Sequence, residues 1–72
     1  MPPLPIISGK EALKAFQNAG FEVVRQKGSH VHLKKDQYHV TIPLHDPIKR
    51  GTLRSAIRQS GLSVEEFVSY LK

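Results

Sequence analysis

Seventy-two residues, no cysteine, and eleven Lys and Arg against six Asp and Glu (a formal charge of +5) describe one small basic domain. Without cysteine, neither a disulfide nor a thiolate-ligated zinc site braces a chain this close to the lower size limit for a self-sufficient core. No apolar run is long enough to span a membrane and none reads as a signal peptide, so the expected setting is the cytoplasm, and the charge favours a polyanionic partner such as nucleic acid or an acidic protein.

Residues 1–7 open with Met1-Pro2-Pro3-Leu4-Pro5, whose prolines disfavour a helix and predict an extended segment lying on the surface. Residues 8–72 read as a single domain. Ser8-Gly9-Lys10-Glu11 fits a capping box, with Ile7 and Ala12 at the staple positions. Ala12, Leu13, Phe16 and Ala19 follow at helical spacing, and Gly20 stops the helix.

From Phe21 the period changes to two. Gly28-Ser29 reads as a two-residue hairpin turn with glycine at the first central position. This pairs Lys27 with His30, Arg25 with His32 and Val24 with Leu33. A second turn at Asp36-Gln37 pairs Lys34 with His39, His32 with Thr41 and Leu33 with Val40. The two registers agree. One face then carries Val24, Val31, Leu33, Tyr38, Val40 and Ile42; the other carries Arg25, Lys27, His30, His32, Lys34, His39 and Thr41.

Pro43 ends the third strand, and a loop with a turn at Asp46-Pro47 follows. Gly51-Thr52 opens a second helix with Leu53, Ala56 and Ile57 on its buried stripe, Arg54 and Arg58 outside, and Gly61 at its end. Ser63-Val64-Glu65-Glu66 is another capping box, with Leu62 and Phe67 as staple. It starts a last short helix whose expected stripe is Val64, Phe67, Val68 and Leu71. The sum is a two-layer α+β domain, α-β-β-β-α-α, with helices over the apolar face of a three-stranded antiparallel sheet. The order α-β-β-β-α is that of the double-stranded-RNA-binding domain, and fold order alone does not assign function.

Three chemistries compete for the open basic face. His30, His32 and His39 share it, as a zinc site would need, but Arg25, Lys27 and Lys34 would repel a dication. No carboxylate is expected there, so neither a resident metal nor any other cofactor is expected. A serine hydrolase is equally disfavoured: Ser29 and His30 are adjacent, and no acid is placed to orient the imidazole. Metal-free RNA cleavage fits better. RNA supplies its own nucleophile, the 2′-hydroxyl, histidine suits the proton transfers, and neighbouring cations suit the phosphate charge. The alternative is that these histidines are solvated strand residues. A second basic group, Lys49-Arg50-Gly51-Thr52-Leu53-Arg54, lies at a helix start, where amides and dipole attract phosphate. His45 reads as a loop residue that bonds locally.

Four segments carry a resemblance: Gly20 to His30 (GFEVVRQKGSH), Ile42 to His45 (IPLH), Lys49 to Ser55 (KRGTLRS) and Gly61 to Phe67 (GLSVEEF). In this order and spacing they resemble the HicA toxins of HicBA toxin–antitoxin systems, over Ser8 to Leu71. The resemblance implies a double-stranded-RNA-binding-domain-like fold, an mRNA interferase that cuts RNA without needing the ribosome, and inhibition by a HicB antitoxin encoded beside it. It implies that the catalytic histidine of the Gly-Ser-His motif is His30, with Gly28 and Ser29 matched. Pro43, His45, Gly51, Thr52 and Leu53 match the remaining motifs, with structural or RNA-positioning roles. The start, Met1 to Pro5, departs from the family pattern. The resulting expectation is a toxin endoribonuclease with His30 as acid/base residue. Arg25, Lys27, Gly28, Ser29 and Lys34 bind RNA at the hairpin, and Lys49, Arg50, Thr52 and Arg54 bind its backbone. The alternatives are a non-catalytic RNA-binding module and a pure interaction protein.

Overall fold

The structure, a computed structural model, describes residues 4–71. Met1 to Pro3 of the expected extended segment lie outside that range. The elements are α1 (Gly9–Asn18), β1 (Glu22–Lys27), β2 (His30–Lys35), β3 (Tyr38–Pro43), α2 (Arg50–Ser60) and α3 (Val64–Ser69). The sheet is antiparallel in the order β1-β2-β3. This is the α+β arrangement and element order expected from the sequence.

Both capping boxes form. The Ser8 hydroxyl accepts from the Glu11 amide at 3.1 Å, and the Glu11 carboxylate accepts from the Ser8 amide at 3.0 Å. Ser63 and Glu66 repeat the exchange at 3.0 and 2.9 Å. Each box satisfies two amides that a helix start otherwise leaves without partners. Gly61 ends α2 in the left-handed conformation with φ 77°.

The core lies between the helices and one face of the sheet. Val31, Leu33, Val40 and Ile42 come from the sheet; Ala12, Ala15, Phe16, Leu53, Ala56, Ile57 and Phe67 come from the helices. Phe16 is the hub, its ring 4.9 Å from that of Phe67 and 5.6 Å from that of Phe21.

Three expectations are corrected. Residues 4–7 are not simply laid on the surface: Leu4 and Ile7 are buried while Ile6 between them is exposed, and Ile7 O accepts from Ile48 N at 2.9 Å. Ile48, in the loop after β3, is buried with them. Val68 is 39% exposed: of the six residues of α3, Phe67 alone is buried. Val24 is 57% exposed, because β1 carries a bulge between Val23 and Arg25. Val23, not Val24, stands opposite Leu33.

Gly9 joins the two halves of the molecule. Its amide donates to His45 O at 2.7 Å, and a Cβ built on it would overlap the carbonyl oxygen of Pro43. Both partners are backbone, so neither can swing aside. Alanine is the better helix former by about 1 kcal/mol, yet Gly9→Ala is expected to destabilise the fold by about 1–3 kcal/mol through this overlap. A urea midpoint at or above that of wild type would refute the close approach.

Candidate functional site

The open face of the sheet is built by register. Lys27 pairs with His30, Arg25 with His32, His32 with Thr41 and Lys34 with His39. Paired residues project to the same side, their Cβ atoms about 4.5–5.5 Å apart. The structure therefore gathers Arg25, Lys27, His30, His32 and Lys34 on one surface, with His39 and Thr41 at its far side. Arg25, Lys27, His30, Lys34 and His39 are exposed, whereas His32 and Thr41 are half-buried. The Thr41 hydroxyl lies 3.1 Å from His32 Nδ1.

Several main-chain contacts fix the position of His30. Gly28 takes φ 60° at the first turn position, which glycine reaches without strain. The Gln26 side chain donates to Gly28 O at 3.1 Å. On the other side His30 pairs with Pro43, and Leu44 N donates to Ser29 O at 2.7 Å. The Gly28–Ser29 turn is thus clamped between β1 and the loop leaving β3. That loop is tied in turn to α1 through the Gly9–His45 bond. His45 itself contributes its carbonyl, to a residue far away in sequence, while its side chain is exposed. The expectation of a local bond is corrected in that respect.

The second basic group stays apart from the sheet. Lys49 is the N-cap of α2 and makes no side-chain cap bond, and no acid occupies the first turn. The amides there remain available to an anion. Lys49, Arg50 and Arg54 are exposed and Thr52 is half-buried. Arg54 also borders a groove of about 410 Å³ lined by Leu4, Ile57, Arg58 and Leu62, which shares no lining residue with the open face. The loop 44–48 connects the two basic regions.

The bulge also changes the charge of the open face. Moving the register by one residue places Glu22 opposite Lys34, where no carboxylate was expected. Val24 joins Glu22 and Lys34 around a shallow depression. The paired valines at 23 and 24 were the available signal, since a strand cannot bury both on one face. Even with Glu22 present, no three His, Asp or Glu side chains among the described residues group as a metal site would require. No helix among them is long and apolar enough to cross a membrane.

No curated protein matches the chain. A family model described as "HicA toxin of bacterial toxin-antitoxin" matches residues 9–62, from the first residue of α1 through the whole sheet and α2 to the turn before α3. The match includes Gly28-Ser29-His30, the cross-strand cations and the start of α2. The chain belongs to the HicA family, the toxins of bacterial toxin–antitoxin pairs.

Proposed function

We propose that this toxin is an endoribonuclease, an mRNA interferase that cuts mRNA in the cytoplasm and so arrests translation and growth. The observation that carries the reading is the Lys27–His30 pair: an exposed imidazole and an ammonium side by side on a clamped hairpin. His30 takes the proton from the 2′-hydroxyl, which then attacks the adjacent phosphorus. Lys27 and Arg25 balance the charge that gathers on the phosphate. The amides at Gly28 and Ser29, the Lys34 ammonium, and Lys49, Arg50, Thr52 and Arg54 at the start of α2 hold flanking backbone. No step calls for a metal, because the nucleophile belongs to the substrate. A HicB-type antitoxin silences the enzyme by covering His30, and its acidic groups would complement the basic face.

The exposed cations also favour a second reading, an RNA-binding module without chemistry. One assay separates the two. Purified protein is incubated with a defined RNA and excess chelator. Undiminished scission is the expected result. Retarded but intact RNA, with affinity falling as salt rises, would support the binding module instead. Activity lost to the chelator and restored by zinc would overturn the metal-free mechanism.

A further inference from the structure

We infer that His32 is the general acid of the reaction, the partner that protonates the departing 5′-oxygen while His30 acts as base. The inference rests on the ribonuclease reading above and assigns the half of the proton transfer that His30 leaves open.

His30 and His32 are two residues apart on β2 and project to the same face. At a rise of about 3.3 Å per residue their Cα atoms stand about 6.6 Å apart. Two imidazoles at that separation can bracket one phosphate, one on the side of the attacking oxygen and one on the side of the leaving oxygen. Across the strand gap, Lys27 stands opposite His30 and Arg25 opposite His32. The four side chains form a square with a cation beside each imidazole, which suits a phosphate that gains charge between them.

Orientation then separates His32 from the other histidines. Among the described residues its ring is the one imidazole hydrogen-bonded to another side chain, Thr41 Oγ1 at 3.1 Å from Nδ1. It is half-buried, whereas His30, His39 and His45 are exposed. Thr41 is held on the neighbouring strand, so the ring is fixed with Nε2 free to face the substrate. In the imidazolium form Nδ1–H donates to the Thr41 hydroxyl and Nε2–H is the acidic donor. Loss of the Nε2 proton leaves the neutral tautomer that keeps its bond to Thr41. With Nδ1 engaged by Thr41, Nε2 is the nitrogen left to pass its proton to the substrate.

The step balances. His30 accepts the 2′-hydroxyl proton, the 2′-oxygen–phosphorus bond forms, and the phosphorus–5′-oxygen bond breaks. The 5′-oxygen takes the Nε2 proton of His32. The products are a 2′,3′-cyclic phosphate and a 5′-hydroxyl, with His30 protonated and His32 neutral. Proton exchange with water resets both.

A substrate that needs no acid tests the assignment. An RNA oligonucleotide is made with sulfur replacing the bridging 5′-oxygen at the site mapped with the ordinary oligonucleotide; a thiolate leaves without protonation. His32→Ala is expected to slow cleavage of ordinary RNA by about 10²–10³-fold and to cleave the sulfur-bridged RNA at a rate close to wild type. His32→Gln, which preserves bulk and a contact to Thr41, should show the same split. Thr41→Val should give a smaller loss on ordinary RNA alone. His30→Ala should fail on both substrates. Near-wild-type cleavage of ordinary RNA by both His32 variants would overturn the inference. So would equal losses on both substrates with circular dichroism unchanged, since that pattern marks a positioning role. If wild type cleaves neither RNA, the ribonuclease reading itself fails and the inference with it.

Discussion

His30→Ala will lower the rate of RNA cleavage by about 10²–10⁴-fold and relieve growth arrest in cells that express it, while leaving the fold intact. The size follows from what positioned acid–base groups contribute in general. The survival of the fold follows from position. His30 is exposed at the first residue of β2. The contacts that hold the hairpin come from the Gly28 and Ser29 carbonyls and the Leu44 amide, and alanine leaves all of them in place. Thermal unfolding near the wild-type temperature, with RNA binding retained and scission lost, is the expected set of results. Undiminished scission would remove His30 from the mechanism.

Phe16→Ala has the largest expected effect on stability, a loss of about 3–5 kcal/mol. Phe16 is fully buried and its ring packs against both Phe21 and Phe67. It therefore connects α1 to the start of the sheet and to α3. A chain of this length has a total stability of roughly 4–11 kcal/mol, so the variant keeps at best a part of its margin. Urea unfolding measures this directly. A midpoint within about 1 kcal/mol of wild type, at the usual slope, would show that the Phe cluster can collapse around the vacancy. The same variant should lose toxicity through unfolding, in contrast to His30→Ala, which loses it while folded.

Much of this site was legible in the sequence because hairpins count residues. Two short turns, Gly28-Ser29 and Asp36-Gln37, set the β2–β3 register throughout and the β1–β2 register as far as Arg25, and the pairs Lys27–His30, Arg25–His32, His32–Thr41 and Lys34–His39 form as counted. Two capping boxes fixed two helix starts in the same way. What escaped was non-local. The bulge at Val24 depends on how β1 meets β2 beyond the turn, and alternation alone has no term for an extra residue. Its consequence, Glu22 on the basic face, escaped with it. The prolines of the first segment announced extended chain, but the burial of Leu4 and Ile7 is decided by tertiary packing, with Ile7 O receiving the Ile48 amide. Spacing placed His30 and His32 alike, and the resemblance singled out His30. The Thr41 contact that distinguishes His32 depends on ring orientation, which no residue pattern encodes.

The central claim is that the substrate's own 2′-hydroxyl is the nucleophile and that His30 activates it. The ends of the cleaved RNA test this most directly. A labelled RNA of defined sequence is cut by the purified toxin in excess chelator, and the new termini are identified by mass. The account predicts a 2′,3′-cyclic phosphate on one fragment and a 5′-hydroxyl on the other, both absent with His30→Ala. A 5′-phosphate with a 3′-hydroxyl would mean that water attacked instead, and would contradict the mechanism.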